Sequence, residues 1–302
     1  MSTIKTVLSL TALVCSVGVN ACTSVGFSGT SAEGGGTLIA KNRDAPFTGY
    51  QRLSVFHPKG KYAYVALMYG NDEHTKVYPY ISAGTNEAGL TVVVNDASSN
   101  LPDDPNAVET RIMRKILMQY DSVAAVQKDA AKLFGQNDPA LYLLSDGKQV
   151  ANFQAGYDNR YAGRVTAHGT VWNTNYYHLK SVLVDNKMIP DSTKARTAVL
   201  KEWLKIKPES VSVGDITRLL ASHYNGPLKS ISRQYTVAKY MVRHEPDRAP
   251  VLMVKETIPT QPYNAYSITL DEKFFQSTHE GPLDNDGRFG LLGSLNRTKT
   301  NS

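Results

Sequence analysis

The stretch that decides the fold runs from Cys22 to Asp44 and reads CTSVGFSGTSAEGGGTLIAKNRD. Two short runs within it, residues 23–28 and residues 37–43, have the composition of β-strands. Between them stand residues 33–36, whose three consecutive glycines indicate a turn with backbone conformations that other residues avoid. The sequence therefore predicts a β-hairpin that starts just after Cys22.

An apolar segment opens the chain. Lys5 gives it a positively charged start, residues 6–17 form an apolar run, and Val19-Asn20-Ala21 ends it with the small-residue pattern of a cleavage site. The run is too short to span a membrane. We therefore predict that residues 1–21 are a cleaved signal peptide and that the mature protein is periplasmic or secreted.

Cys22 is the only cysteine left after that cleavage, because Cys15 lies in the leader. Three interpretations of it stay open at this point: a lipid-anchored cysteine, an inert buried thiol, or a nucleophile. Lipoprotein signals favour Leu three residues before the cysteine and a small residue two before it. Val19 and Asn20 match that pattern poorly, which makes the lipid anchor the weaker interpretation.

Composition excludes several classes of function. The 302 residues are 41% hydrophobic and 20% charged with a net charge of +6, as in an ordinary globular protein with a substantial core. No dense basic run indicates nucleic-acid binding, and no later apolar stretch is long enough for a membrane span. The seven histidines form no metal-binding motif, and neither a phosphate-binding loop nor a Gly-x-Ser-x-Gly elbow occurs. We predict no metal and no cofactor.

Strand-like and helix-like runs alternate in blocks along the chain. Blocks of this kind, joined by hairpins rather than regular βαβ units, predict an α+β fold with two antiparallel sheets covered by helices. We expect one domain over residues 22–302, with a polar tail from about residue 281. Helices are predicted at residues 106–120, 122–134, 193–206 and 213–223, and strands at residues 23–28, 37–43, 53–56, 62–68, 89–95, 141–145, 150–154, 169–173, 234–243, 251–256 and 265–270.

A nucleophilic Cys22 needs a base, and no histidine stands in a clear sequence relation to it. The α-amine that cleavage would expose can serve, because a terminal amine and a thiol both titrate close to neutral pH. Activation of a nucleophile by the terminal amine is an established variant of the catalytic triad.

Four motifs occur in order along the chain. They are Cys22-Thr23 with the run from Gly36 to Asp44, Asn86-Glu87-Ala88-Gly89-Leu90 running into Asn95, Thr174-Asn175, and Ser230-Ile231-Ser232-Arg233. Each motif alone is weak, but the ordered set spans most of the mature chain and is specific. Together they resemble the N-terminal-nucleophile amide hydrolases of the choloylglycine hydrolase type, which include bile salt hydrolases and penicillin V acylases, and the related acyl-CoA:aminopenicillanate acyltransferases.

The resemblance implies a fold and a set of roles. The fold is a four-layer αββα sandwich of two antiparallel sheets. Cys22 would attack the amide carbonyl to form a thioester, and Asp44 would hold its α-amine in place. Asn95 and Asn175 would donate hydrogen bonds to the oxyanion, and Arg233 would place positive charge near the thiolate.

One position departs from the family pattern. The arginine that the family has three residues before the aspartate is Lys41 here, and Arg43 stands two residues further on. The two side chains share a face of a strand, so the sequence leaves open which of them supplies the charge. Lysine lacks the planar fork of arginine.

The resemblance implies a small-molecule N-acyl amide as substrate and leaves its acyl and amine halves open. An apolar acyl pocket would use Phe47, Tyr50, Met68 and Tyr69. Hydrolysis and acyl transfer to an amine share these motifs, although export favours water as the acceptor. The alternatives are an aminopenicillanate-type acyltransferase and a non-enzymatic exported lipoprotein or binding protein, and a homo-oligomer is left open.

Overall fold

Two antiparallel sheets stacked between two helical layers make up the computed structural model of this chain. It describes residues 22–45, 50–70, 80–97, 108–136, 139–256 and 264–283; the predicted signal peptide, Phe47 and the side chain of Tyr50 lie outside the described part. The strands are β1 (Thr23–Ser28), β2 (Thr37–Asp44), β3 (Tyr50–Phe56), β4 (Tyr64–Gly70), β5 (Tyr80–Asn86), β6 (Thr91–Asn95), β7 (Ala140–Ser145), β8 (Val150–Ala155), β9 (Tyr161–Thr166), β10 (Gly169–Asn173), β11 (Thr236–His244), β12 (Val251–Glu256), β13 (Asn264–Thr269) and β14 (Gly281–Pro282). The helices are α1 (Val108–Gln119), α2 (Val123–Lys128), α3 (Ala130–Phe134), α4 (Asp191–Ile206), α5 (Val213–Leu220), α6 (Gly226–Lys229) and α7 (Glu272–Ser277).

The first sheet has the strand order β10-β1-β2-β11-β12-β13, with every neighbouring pair antiparallel. β1 and β2 form the hairpin that the sequence predicts, with Thr23 opposite Asn42. The turn needs its glycines: Gly36 has φ +71°, and a Cβ there would lie 2.0 Å from the carbonyl oxygen of His244. No side chain fits at that distance, so the hairpin and β11 can approach only with glycine at this position.

The second sheet has the order β14-β3-β4-β5-β6-β7-β8-β9, a meander in which β3 to β9 pair with their neighbours in sequence. Its first strand, β14, lies where the predicted tail begins. Gly281 pairs with Val55, and the amide of Leu283 donates to the carbonyl of Leu53 at 2.7 Å. These residues belong to the sheet, and the remainder of the predicted tail lies outside the described residues.

The alternation of side chains along β6 shows how the four layers arise. Val92 and Val94 are buried against α1, α2 and α3, whereas Val93 between them is buried against the first sheet. On the far side of the first sheet, Val25 and Phe27 of β1 pack with α4 and α5. The predicted α+β fold with an αββα layer order is therefore confirmed.

Local differences from the predicted elements have physical reasons. β5 was not predicted because its sequence, YISAGTN, is rich in small and polar residues, and β9 was not predicted because it is a largely exposed edge strand. The single helix predicted over residues 122–134 is two helices, since Asp129 leaves the helical conformation at φ −100°, ψ 12°. Its carboxylate accepts a hydrogen bond from the Tyr120 hydroxyl at 2.8 Å. No helix in the described ranges is long and apolar enough to cross a membrane.

Candidate active site

Cys22 lies directly before β1, with its side chain 4% exposed and its thiol outside any disulfide. Since Thr23 stands opposite Asn42, continuing the register by one residue places Cys22 opposite Arg43. Directly opposed residues of an antiparallel pair project to the same face. The thiol therefore shares a face of the first sheet with Arg43 and, two residues along β2, with Lys41.

Lys41 occupies the space between the two sheets. Its Nζ donates to the carbonyl of Val94 and, at 3.3 Å, to that of Ser82, and it lines one cavity with Cys22. Burial lowers the pKa of Lys41, while the thiol acts in the opposite direction. An amine in this position can hold a thiolate as an ion pair. Lys41 and Arg43 both line one cavity with Cys22, so the structure brings both of the predicted charges to the thiol.

Asp44 is buried and held on both oxygens. The Nε of Arg233 donates to Oδ2 at 2.9 Å, and the hydroxyl of Thr236 donates to Oδ1 at 2.5 Å. The backbone amide of Arg233 donates in turn to the Thr236 hydroxyl at 2.9 Å. Arg233 was predicted to supply charge beside the thiolate; its described ion pair is with Asp44, so its charge is matched by a carboxylate and its contact fixes that carboxylate.

Arg196 is the functional candidate that the sequence analysis missed. It is fully buried, and its Nη1 donates to the carbonyl of Cys22 at 2.5 Å and to the hydroxyl of Thr23 at 3.0 Å. Its Nη2 donates to Oδ1 of Asn175 at 2.8 Å and to the hydroxyl of Thr193 at 3.1 Å. Burial lowers the pKa of Arg196 to about 10, against the opposing effect of Asp44.

A sequence signal for Arg196 did exist. The buried positions of α4 are Thr193, Arg196, Thr197 and Leu200, which follow the spacing of a single helix face. A charged residue on the buried face of an amphipathic helix calls for a partner inside the protein. Here the partners are the first residues of β1 and an active-site amide.

The two predicted oxyanion amides already hold carbonyl groups. Asn95 donates from Nδ2 to the carbonyl of Thr174 at 3.0 Å, and Asn175 donates from Nδ2 to the carbonyl of Asp96 at 2.7 Å. Asn175 also accepts from Arg196, which links it to Cys22 through one guanidinium. The structure therefore brings both amides to the end of β10 beside Cys22, and their described hydrogen bonds join β6 to the segment after β10.

A small cavity opens at the thiol. It measures about 10 Å³, which is room for about one water molecule. Tyr69 of the predicted acyl pocket lines it, with its ring centroid 3.9 Å from the guanidinium carbon of Arg43. Met68 faces the helical layer instead and packs in the core under α1. The lining residues are Cys22, Lys41, Arg43, Asp44, Tyr69, Ser82, Val94 and Asp96.

A larger cavity elsewhere in the described structure has no nucleophilic cysteine in its lining. It measures about 550 Å³ and is lined by His57, Glu87, Phe275 and neighbouring residues of α7 and the segment after it. No cysteine lines it, and no cluster of three or more metal-ligating side chains occurs among the described residues. Size alone would select this cavity, but the buried nucleophile and its charged neighbours mark the small one as the candidate active site.

The fold and the site together define a class, the N-terminal-nucleophile hydrolases, in which a residue at the start of a sheet strand faces a second antiparallel sheet. A mutant of the conjugated bile acid hydrolase from Clostridium perfringens has this fold, with a TM-score of 0.52 at 13% identity over 87% of this chain and 96% of that one. A variant of the same hydrolase gives a TM-score of 0.47 at 14% identity over 83% and 94%. At 13% identity the first of these likenesses supports the fold alone.

The family follows from the sequence itself. The model of the acyl-coenzyme A:6-aminopenicillanic acid acyl-transferase family matches residues 31–241, more than half of the chain. The chain belongs to this family, which confirms the resemblance that its motifs indicated. No curated protein gives a significant match.

Proposed function

We propose that the mature protein, cleaved before Cys22 and exported, is an amidohydrolase that opens a linear N-acyl amide through a thioester on Cys22. The observation that carries the proposal is the placement of this thiol. The thiol lines one cavity with Lys41 and Asp44, and the guanidinium of Arg196 donates a hydrogen bond to the backbone carbonyl of Cys22. A buried cysteine with only a structural role packs like a small apolar side chain, whereas several charged neighbours around a thiol indicate a reactive one.

In the proposed reaction the thiol of Cys22 gives its proton to the α-amine freed by cleavage, and the sulfur attacks the amide carbonyl. The tetrahedral intermediate collapses as the C–N bond breaks, and the departing amine takes the proton from the ammonium. Water then adds to the thioester, the C–S bond breaks, and the acid leaves with the thiol restored. Asp44, fixed by Arg233 and Thr236, is the carboxylate that would steady the ammonium.

Positive charge supports the anionic states of this cycle. The ammonium of Lys41 lies at the thiol, and the guanidinium of Arg196 binds the Oδ1 of Asn175, which polarises the amide N–H groups of that residue. Preorganised donors of this kind lower the barrier because they need no reorganisation when charge develops. The cavity holds about one water, so substrate binding requires some of the surrounding side chains to move.

The decisive experiment determines the first residue of the exported protein and then looks for the acyl-enzyme. We expect N-terminal sequencing to give Cys22 with a free amine, and intact mass after rapid acid quench to show one acyl group added during turnover of a substrate amide. Cys22→Ser should fold and lose nearly all turnover, because a hydroxyl is a much poorer nucleophile at neutral pH. Cys15→Ser is the matched control, since that residue leaves with the leader.

Two outcomes would overturn the proposal. A lipid on Cys22 would block its sulfur, and full activity of Cys22→Ser against every amide that the parent cleaves would exclude the thioester. Screening conjugated bile salts, penicillin V, N-acyl amino acids and acyl-homoserine lactones supplies the substrate for these measurements.

Acyl transfer is the second candidate, and the family match is the observation that favours it. The two reactions share the thioester and differ in its acceptor. Adding hydroxylamine or the amine half of the substrate to the purified enzyme separates them. A thioester that goes mainly to water supports a hydrolase, whereas one captured by amine at low concentration supports an acyltransferase.

A further inference from the structure

Arg43 lines the cavity at Cys22 and has an unused donor. Its side chain is 5% exposed, and its Nη1 has no hydrogen-bond partner among the described residues. Lys41, the other cation that lines the cavity, donates to two carbonyls. A buried donor without an acceptor costs free energy, and a native site keeps one where something else supplies the acceptor.

The position of Arg43 ties that donor to the reacting sulfur. It stands opposite Cys22 in the β1–β2 register and lines the same cavity. Directly opposed residues have Cα atoms about 4.5–5.5 Å apart. A substrate group only a few bonds from the carbonyl that the thiol attacks can therefore reach the guanidinium. Tyr69 covers one face of the guanidinium and leaves its donor edge for a ligand.

We propose that Arg43 binds a carboxylate of the substrate, so that the preferred amides carry a carboxylate within a few bonds of the scissile carbonyl. This inference rests on the proposed function, because that function places the carbonyl at Cys22. Of the two carboxylates that line the cavity, Asp44 is paired with Arg233, and no described ion pair joins Asp44 or Asp96 to Arg43. The planar fork of arginine suits a carboxylate, with which it makes paired hydrogen bonds.

The carboxylate has two sources with the same chemistry at Arg43. It stands on the amine half in an N-acyl amino acid, and on the acyl half in the monoamide of a dicarboxylic acid. Two probe pairs distinguish them, each an acid with its neutral carboxamide: N-octanoylglycine with N-octanoylglycinamide, and N-octylsuccinamic acid with N-octylsuccinamide.

Binding of the four probes is measured by calorimetry on the mature Cys22→Ala protein, in which no turnover occurs. We expect one acid to bind about 10- to 100-fold more tightly than its carboxamide, as expected for a charged hydrogen-bonded pair. Arg43→Gln in the same background should abolish the difference, and Arg43→Lys, which keeps the charge without the fork, should leave a smaller one. Arg164→Gln, which removes an exposed positive charge on β9, is the control and should leave the preference unchanged.

Equal affinity for acid and carboxamide in both pairs would overturn the inference, and this comparison needs no Arg43 variant to fold. A preference that survives Arg43→Gln in folded protein would also overturn it, because another cation would then bind the carboxylate. The proposed function is tested separately, by the N-terminal residue of the exported protein and by the presence of the thioester. If the acids bind more tightly but the parent enzyme forms no thioester, the carboxylate subsite is supported and the proposed function is wrong. If both carboxamides are turned over rapidly, the thioester mechanism is supported and the carboxylate subsite is wrong.

Discussion

Arg233 and Arg196 are two buried arginines near the same site, and their partners differ. Arg233 is bound to the carboxylate of Asp44, so the pair is neutral. The four described hydrogen bonds of Arg196 end on neutral oxygens, including the carbonyl of Cys22 and the amide of Asn175. The first arrangement orients a carboxylate, whereas the second leaves positive charge beside the start of β1.

The cost of burying the second charge explains where it occurs. A buried cation without a carboxylate is unfavourable unless neutral dipoles satisfy its donors, and the lowered pKa of Arg196 reflects that cost. Lys41 follows the same pattern, because its Nζ donates to the carbonyls of Ser82 and Val94. Positive charge that no carboxylate neutralises can stabilise a thiolate or an oxyanion. The difference between the two arginines therefore matters for catalysis.

The largest expected effect is on the matched pair. Asp44→Asn leaves the Arg233 guanidinium buried without a counter-charge, and we expect a loss of about 3–5 kcal/mol in the free energy of unfolding. Urea unfolding of the single variants and the double variant with Arg233→Met gives the coupling energy. A second cycle, between Asp44 and Arg196, should show much weaker coupling. Equal coupling in the two cycles would mean that the two arginines do not differ as their contacts indicate.

The next effect concerns the unmatched cation. Arg196→Met removes the contacts that fix Cys22 and Asn175, and a displacement of about 1 Å at reacting groups costs about 100-fold in rate. We expect kcat/KM to fall by about that factor in protein that remains folded, together with slower alkylation of Cys22 by iodoacetamide. Lys194→Met, an exposed position on the same helix, is the control. Unchanged kinetics and alkylation would remove Arg196 from the site.

The smallest expected effect is on the pH dependence of stability, and it concerns His178, a buried base that is neutral in the folded protein. His178 stacks on Trp172 with ring centroids 4.1 Å apart, and burial lowers its pKa to about 4. The neutral ring is therefore favoured in the folded protein, while the unfolded chain takes up a proton as pH falls below about 6.5. Stability should fall as pH drops from about 6.5 to about 4, by about 2 kcal/mol.

Unfolding curves of His178→Gln between pH 7 and pH 4 test this prediction. The variant should lose that part of the pH dependence even if it is less stable throughout, because no ring remains to be protonated on unfolding. His223→Gln, which changes an exposed histidine, is the control. A pH dependence in His178→Gln identical to that of the parent would show that His178 does not cause it.

The sequence motifs predicted several residues that the structure brings together, and the reason is local geometry. Cys22, Lys41 and Asp44 belong to one hairpin, where strand pairing sets their spacing. The segments that approach the hairpin from afar were harder to interpret. Arg233 was placed in the site but given the thiolate as its partner, and Asn95 and Asn175 were assigned to the oxyanion although their described hydrogen bonds hold backbone carbonyls.

By itself the sequence determined the α+β class, the two antiparallel sheets, the family, and the hairpin that carries the nucleophile. Periodicity and turn residues act between neighbours in the chain, so they can be interpreted without a structure. Only the tertiary structure decided which charge meets which partner. Arg196 reaches Cys22 across 174 residues and Arg233 reaches Asp44 across 189, and Arg43 keeps an unpaired donor, because the packing of helix on sheet brings these groups together and no local pattern encodes their distances.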